Sequence, residues 1–293
     1  MAAAGQQDVD AIWQGGAPLP DMDDRQFAQW TALVEERTGM AMPAERKSFL
    51  ITSVGLRMRE LGFRDYDAYY RYLTEGVAGR LEWTELVDRL TVHETRFFRD
   101  TGAIAYLRDG VLPRVAGAGS LNVWSVGCST GEEVYTLAMV LDSELSRVAP
   151  DCRVGITGTD VSLRALQTAR QALYPKRRLR DIPEDLRLRY CEPLPGQDRF
   201  SVVSGLCRRV CFAHMNVLDV DRTPPLQMDV IFCQNLLIYF DMSRRQSIVE
   251  GLARHLRPEG ELVLGSGEFV RDPPEGLVRV RGAGNVLAFR RRM

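Results

Sequence analysis

The residues best suited to chemistry form a short turn, Gly127-Cys128-Ser129-Thr130-Gly131, which two glutamates follow directly. An apolar run precedes this turn, and apolar residues recur at helical spacing after it. Glycine has no Cβ, so Gly127 and Gly131 allow a tight turn and a close approach between backbone and ligand. A strand, a glycine turn and a helix in this order are typical of the nucleotide-binding turns of Rossmann-like sheets.

The two glutamates narrow the choice of ligand. Glu132 and Glu133 open the predicted helix, at the end where a bound phosphate group favours positive potential. Their charge disfavours a pyrophosphate and suits a ligand that carries hydroxyl groups and a positive charge. S-Adenosylmethionine has a ribose, an amino acid group and a sulfonium but no phosphate, so we expect it as the cofactor.

Two further polar segments follow predicted strands and should reach the same edge of the sheet. Asp160 ends the next strand and is placed to accept the two hydroxyls of a ribose, or alternatively to cap the following helix through Val161-Ser162. Cys233-Gln234-Asn235 follows an apolar strand, and Tyr239 comes shortly after it. The alternative for this segment is a polar turn with Tyr239 in the core.

The segment 91–100 lies upstream of the sheet and has the sequence Thr-Val-His-Glu-Thr-Arg-Phe-Phe-Arg-Asp. Taken alone it predicts the start of a helix, with Thr91 as the cap, Glu94 at the third position, and Phe97 and Phe98 buried.

The elements that position these residues follow from hydrophobic periodicity. Strands are predicted at 121–126, 153–159, 228–233, 261–264 and 285–289, and helices at 132–148, 162–173 and 242–256. Alternating strands and helices imply an α/β fold with an open, mostly parallel sheet. Short alternating runs separated by turn residues at about 188–212 predict a small inserted antiparallel β-subdomain.

The N-terminal part of the chain has a different pattern. We expect a flexible tail at 1–20, an all-helical domain at 21–90 with four apolar helix faces, and a connecting helix and linker at 91–120. Residues 121–293 then form the Rossmann-like domain.

Composition excludes several classes of protein. The chain has 293 residues with 45% hydrophobic and 26% charged residues, as soluble globular proteins do. A net charge of −1 gives no global attraction for nucleic acid. The start of the chain lacks the features of a signal peptide and no apolar run reaches the ~20 residues of a membrane helix, so we expect a cytoplasmic protein with buried, reduced cysteines.

Three motifs, at 91–100, 127–135 and 231–240, together resemble the CheR-type chemotaxis methyltransferases. The resemblance extends from near residue 25 to the last predicted strand. It implies transfer of a methyl group from S-adenosylmethionine to glutamate side chains of methyl-accepting chemotaxis receptors, giving glutamate methyl esters and S-adenosylhomocysteine. It also implies an N-terminal helical domain beside a Rossmann-like methyltransferase domain that carries a small β-subdomain.

Residue by residue, the resemblance implies a cofactor site and two catalytic residues, Arg99 and Tyr239. Arg99 lies near the transferred methyl group, and Tyr239 lies near the reacting centre. His93 and Gln234 stand where asparagine and arginine are frequent in this family. The expected cofactor-binding residues are His93, Thr95, Arg99, Gly127, Glu133, Asp160, Asn216, Val217, Cys233 and Gln234.

Acid–base chemistry fits this reaction. A glutamate carboxylate has a pKa near 4.3 and is therefore already anionic at neutral pH, so methyl transfer to it needs no general base. The enzyme must supply alignment, which is worth roughly 7–11 kcal/mol. Arg99 is permanently cationic and can hold the incoming carboxylate, and the Tyr239 hydroxyl can orient one of its oxygens.

Substrate recognition is expected on a basic helix face of the N-terminal domain, for which the alternative is an ordinary solvated face. We expect the partners to be cytoplasmic glutamate-rich helices of chemoreceptors, with no nucleic acid and no direct membrane insertion. The protein is expected to act as a monomer, recruited to receptor arrays. The residues of the basic face are Arg46, Lys47, Arg57 and Arg59.

Four other functions or sites were weighed. A nucleic-acid amino-group methyltransferase would carry prolines where this chain has Leu236 and Leu237, and a small-molecule methyltransferase leaves the segment 91–100 unexplained. A non-catalytic cofactor-binding or receptor-docking module of the same fold is the main alternative. A metal site is not expected, because one ligand of the cluster Cys191, Cys207, Cys211 and His214 would point away from the others.

Overall fold

The structure, a computed structural model, describes residues 19–115, 117, 119–268, 270–281 and 283–292, so the predicted tail lies almost wholly outside the described residues. The chain divides into two compact units. One unit holds the described residues up to Leu33 together with Met42–Leu86. The other holds Val34–Ala41 and the chain from Val87 onward.

Residues 24–90 form four α-helices joined by short connections, as the sequence predicts. In the first unit, aromatic packing holds the helices together: Trp30 and Tyr69 are fully buried, with ring centroids 5.5 Å apart. Asp65 caps the third helix by accepting hydrogen bonds from the amides of Asp67 and Ala68. The helices are α1 (Asp24–Thr38), α2 (Lys47–Glu60), α3 (Tyr66–Thr74) and α4 (Gly76–Leu90).

The second unit contains an α/β core. Its strands are β1 (Ser120–Val126), β2 (Arg153–Asp160), β3 (Leu173–Pro175), β4 (Cys191–Pro193), β5 (Arg199–Val202), β6 (Val210–His214), β7 (Met228–Cys233), β8 (Leu256–Leu264), β9 (Leu277–Arg279) and β10 (Leu287–Arg291). Its helices are α5 (Thr101–Tyr106), α6 (Leu112–Val115), α7 (Glu132–Val148), α8 (Leu163–Gln171), α9 (Glu184–Tyr190), α10 (Ser204–Cys207) and α11 (Met242–Arg254).

Within the described residues the main sheet has the strand order β6-β2-β1-β7-β8-β10-β9. The strands from β6 to β8 are parallel, and β10 pairs antiparallel with β8 and β9. Every residue of β7 is buried, as expected for a parallel strand covered on both faces. The strand order reverses between β1 and β7, which is where an open sheet of this kind binds its ligand.

The predicted extent of the β-subdomain, about 188–212, is wrong. The small antiparallel sheet has the order β3-β5-β4, and β6 instead pairs in parallel with β2 as an edge of the main sheet. Its first strand begins at Leu173, which the sequence assigns to the end of the helix 162–173. The helix in fact ends at Gln171, since Ala172 adopts a left-handed conformation with a φ of 54°.

The prediction that a helix starts at Thr91 is also wrong. Residues 91–100 are not helical, and α5 begins at Thr101 with Asp100 as its cap. The Asp100 carboxylate accepts a hydrogen bond of 2.9 Å from the Ala103 amide. Phe97 is fully buried as expected, whereas Phe98 is only partly buried and has a φ of 52°.

Two expectations from composition have different outcomes. None of the described helices is long and apolar enough to cross a membrane. The expectation of buried thiols holds at Cys128, Cys152, Cys191 and Cys233 but is wrong at Cys211, which is exposed because β6 lies at the edge of the sheet.

Candidate cofactor pocket

Two adjoining cavities lie at the carboxyl ends of the parallel strands. Together with the open space at their mouths they measure about 700 Å³ and 730 Å³, and every residue that lines them belongs to the second unit. The shared lining joins them into one candidate pocket. The residues that line both cavities are Val92, Gly127, Ser129, Asn235 and Tyr239.

The glycine turn forms the floor of this pocket. Gly127 has a φ of 73°, and a Cβ added there would come within 3.1 Å of the Leu236 side chain. Gly131 has a φ of 91°, and its Cβ would lie 2.8 Å from that of Ala169. The Thr159 carbonyl accepts hydrogen bonds from the amides of Gly127 and Cys128. The turn therefore requires glycine at both positions, as the sequence predicts.

Asp160 lies in the wall of the second cavity. Its carboxylate accepts hydrogen bonds of 2.8 Å from the amides of Ser129 and Ser162. The cap of α8 is Ser162, whose hydroxyl accepts from the Ala165 amide, so the alternative role of Asp160 as the helix cap is wrong. Burial raises the pKa of Asp160. Each carboxylate oxygen still has a lone pair with which to accept a ligand hydroxyl.

Glu133 lines the first cavity. The Ser125 hydroxyl donates a 2.8 Å hydrogen bond to its carboxylate. Burial raises the pKa of Glu133 to about 7, and the neighbouring Glu268 carboxylate acts in the same direction. A cationic group bound beside Glu133 would stabilise its ionised form.

Segment 91–100 supplies the residues of the first cavity that approach from outside the sheet. Thr95 and Arg99 both line this cavity. Arg99 is exposed, and its guanidinium donates a 2.6 Å hydrogen bond to the Glu94 carbonyl, which orients it within its own segment. The Thr136 hydroxyl on α7 accepts a hydrogen bond of 3.1 Å from the Phe98 amide and so anchors the segment.

The turn after β7 brings Gln234 and Tyr239 to the pocket. The Gln234 amide nitrogen donates to the Val263 carbonyl at 3.2 Å. Its buried Oε1 has no hydrogen-bond partner among the described residues, and neither does the buried hydroxyl of Ser129. Because buried polar atoms are normally paired, these two unpaired atoms in the lining indicate a site built for a polar ligand.

The second cavity is more apolar, with Met40, Val217 and Phe240 among its lining. His93 and Asn216 also line it, and both side chains lie within hydrogen-bond distance of backbone carbonyls. His93 Nε2 lies 3.0 Å from the Asp88 carbonyl, and the Asn216 amide donates to the Arg37 carbonyl at 2.7 Å. These contacts orient both residues, and the apolar lining suits a planar base such as adenine.

Cys233 is the predicted cofactor residue that the structure does not bring to the lining. Its side chain is completely buried in the core cluster that contains Val126. Cys233 is the last residue of β7, and because successive strand residues point to opposite faces, its side chain faces this core while the next residue reaches the pocket. The pocket lining at this point begins with Gln234.

The predicted basic face belongs to the helical unit. The guanidinium of Arg57 makes two 2.7 Å hydrogen bonds to the buried carboxylate of Glu82, and Lys47 pairs with Asp24 at 2.7 Å. Both ion pairs join residues of this protein to each other. Arg57 in particular stabilises the fold, because its partner Glu82 is buried. A docking role for Arg46, Lys47, Arg57 and Arg59 stays a prediction.

The sequence alone does not identify two residues of the site. Ser129 is predicted only as part of the turn, and Glu268 is not among the predicted residues. Glu268 is fully buried and accepts hydrogen bonds from the amides of Leu237 and Gly265. The available signal was an acidic residue among glycines directly after a strand, in Gly265-Ser266-Gly267-Glu268.

Comparison with known proteins identifies the ligand of this pocket. A model of the CheR methyltransferase all-alpha domain matches residues 25–91, and one of the CheR methyltransferase SAM-binding domain matches residues 93–282. The second match contains every pocket residue named above from His93 to Phe240. The ligand named by this family model, S-adenosylmethionine, fits the lining. The Glu133 carboxylate suits its cationic group, the Asp160 carboxylate suits its ribose hydroxyls, and the apolar second cavity suits its adenine.

Curated relatives agree over most of their length. The chain is 31% identical over 235 residues to the chemotaxis protein methyltransferase of Borreliella burgdorferi, covering 78% of this chain and 82% of that protein. It is 30% identical over 249 residues to the one of Escherichia coli strain K12, covering 84% and 85%. The chain therefore belongs to the CheR methyltransferase family, and its cofactor is S-adenosylmethionine.

Proposed function

We propose that this protein methylates glutamate side-chain carboxylates on cytoplasmic helices of chemoreceptors and so forms methyl esters. Methylation in chemotaxis follows from the family. The observation that supports a carboxylate as the acceptor is the position of Arg99, a permanent cation that lines the cavity beside Glu133. A cation at this place attracts an acidic acceptor and disfavours a protonated amine.

The acceptor needs little activation. S-Adenosylmethionine supplies a methyl carbon that its positive sulfonium makes electrophilic. A glutamate carboxylate is anionic at neutral pH and needs no proton removed before it attacks. Burial raises the pKa of the pocket thiol of Cys128 well above its ordinary value, so this thiol stays protonated and is a poor nucleophile.

Arg99 and Tyr239 have distinct roles in this proposal. The Arg99 guanidinium holds one carboxylate oxygen of the acceptor and leaves the other to react. The Tyr239 hydroxyl donates a hydrogen bond that fixes the direction of attack without removing the negative charge. Both residues line the first cavity with Glu133, which holds the ammonium group of the cofactor.

Arg96 is a further candidate for substrate contact at the same cavity. It lines the cavity and is exposed, and among the described residues its side chain has no ion pair or hydrogen bond. Val92, also in the lining, exposes 42% of its surface. An apolar residue beside a cation suits an amphipathic helix that carries glutamates.

Methyl-ester mapping tests the proposal. A chemoreceptor cytoplasmic fragment is incubated with the protein and S-adenosylmethionine labelled in the methyl group, and labelled peptides are located by mass spectrometry. We expect label on glutamates that mild alkali releases, and no label on a control fragment with those glutamates replaced by alanine. Alkali-stable label on amines, or no label, would refute the proposed acceptor.

A further inference from the structure

The carboxylate of Glu268 lies beneath the turn that carries Gln234, Asn235 and Tyr239 into the pocket. Glu268 has 0% of its surface exposed, and it follows β8 through a short loop in which its amide donates to the Gly265 carbonyl. Burying a carboxylate without partners costs free energy, so the groups that bond to a buried carboxylate usually indicate its role.

The partners of Glu268 are backbone amides of that turn. One carboxylate oxygen accepts a 2.5 Å hydrogen bond from the Leu237 amide, and the other accepts a 2.8 Å hydrogen bond from the Gly265 amide. The amides of Asn235 and Leu236 also face the carboxylate. Burial raises the pKa of Glu268, whereas these amides favour its ionised form. Hydrogen bonds to an ionised acceptor are about twice as strong as neutral ones.

The turn needs such an external partner because it is too short to satisfy its own amides. Asn235 has a φ of 58°, in the left-handed region, and only a single 3₁₀ turn, Leu237–Tyr239, follows it. Gly265 allows the carboxylate to approach, since a Cβ at that position would lie 2.5 Å from Glu268 Oε2. The strained turn, the glycine and the carboxylate therefore form one local structure.

We infer that Glu268 is a positioning residue for cofactor binding and methyl transfer. Its carboxylate holds the amides of residues 235–237, and this fixes the wall formed by Gln234 and Asn235 and the place of Tyr239. Glu268 itself is absent from the lining of both cavities, so it acts through the turn. The cofactor part of the inference rests on the family, and only the turnover part rests on the proposed function.

The Glu268→Gln substitution tests the inference because it keeps the shape and removes the charge. The side-chain NH₂ of the new glutamine is a hydrogen-bond donor, and it would face the backbone N–H donors of the turn. We expect weaker binding of S-adenosylhomocysteine by calorimetry and a fall in kcat of about 10²-fold, as for a reacting group misplaced by about 1 Å. The cofactor measurement needs no receptor, so it separates failure of this inference from failure of the proposed acceptor.

Glu261→Gln is the matched control. Glu261 lies on β8, is equally buried, and is bound by Tyr106, Arg114 and Arg290, outside both cavities. Both substitutions should lower the melting temperature, but only Glu268→Gln should change cofactor affinity and kcat. Equal kinetic losses in the two variants, or wild-type binding and turnover in Glu268→Gln, would overturn the inference.

A second variant covers the case in which Glu268→Gln does not fold. Glu268→Asp keeps the charge but shortens the side chain, so it cannot reach all of the amides. Hydrogen exchange in the cofactor-free protein should then be faster across residues 235–237 than in the wild type, and cofactor affinity should fall. Unchanged exchange and affinity in Glu268→Asp would overturn the inference without any activity measurement.

Discussion

The Glu133→Gln substitution should abolish the pH dependence of cofactor binding between pH 6 and pH 7.5. Glu133 is a carboxyl in the first cavity that burial gives a pKa of about 7, and the Ser125 hydroxyl is its neutral partner. The cofactor's ammonium group binds the ionised form of Glu133, so binding competes with protonation of the carboxylate.

The size of the effect follows from the pKa. With a pKa of about 7, the ionised fraction of Glu133 rises from about 0.09 at pH 6 to about 0.76 at pH 7.5. The affinity of the wild type should therefore rise about eightfold over this range, or about 1.2 kcal/mol.

The raised pKa of Glu133 also predicts how stability depends on pH, and stability changes in the opposite direction to cofactor affinity. Because the folded protein holds the Glu133 proton more tightly than the unfolded chain, the stability of the cofactor-free protein falls as the pH rises from 4.5 to about 7. The full loss is on the order of 3 kcal/mol above that range. Glu133→Gln should therefore be more stable than the wild type at pH 8 without cofactor, as expected where function opposes stability.

Calorimetric titration with S-adenosylhomocysteine, together with urea unfolding at each pH, measures both effects. We expect the affinity of the wild type to rise with pH between pH 6 and pH 7.5. The affinity of Glu133→Gln should be weaker and independent of pH, and the variant should be more stable than the wild type at pH 8. A wild-type affinity that does not change between pH 6 and pH 7.5, or an equal slope in the variant, would refute the role given to Glu133.

Three further substitutions test other parts of the site. Arg99→Ala should lower kcat by about 10²-fold or more while changing S-adenosylhomocysteine affinity much less, and equal losses would show that Arg99 only binds the cofactor. Tyr239→Phe should lower kcat roughly 10- to 100-fold, the value of a hydrogen bond to a charged group, with little change in melting temperature; unchanged initial rates would remove Tyr239 from the reaction. Arg57→Ala should destabilise the protein by about 3–5 kcal/mol in urea unfolding, because it removes the cation that pairs with the buried Glu82 carboxylate and leaves the Tyr69 hydroxyl as a neutral donor. A raised KM for the receptor without loss of stability would instead restore Arg57 to the docking face.

The elements with strong periodicity were predictable from the sequence. Helix α7 and strand β7 have the predicted bounds, because a long amphipathic run and a continuous apolar run leave little choice. Strands β3 and β6 were not predicted correctly, since a run of three to five residues does not reveal which sheet it joins. Only the tertiary pairing of β6 with β2 decides that question.

The candidate site shows the same division between local and tertiary information. Gly127, Glu133 and Asp160 were predictable because each stands at the end of a strand or the start of a helix, where a parallel sheet gathers its ligand contacts. The glycines around Glu268 mark it in the sequence, but its role was not predictable, because the Leu237 amide that it binds lies 31 residues away along the chain. The ion pair of Arg57 was not predictable either, because its buried partner Glu82 lies on another helix.

A crystal structure with S-adenosylhomocysteine would show whether the turn 127–131 holds the cofactor. We expect the ligand across this turn, with its ammonium group at Glu133, its ribose hydroxyls at Asp160 and its adenine against Val217. Density for the ligand elsewhere, or a pocket that stays closed at saturating ligand concentration, would contradict this expectation.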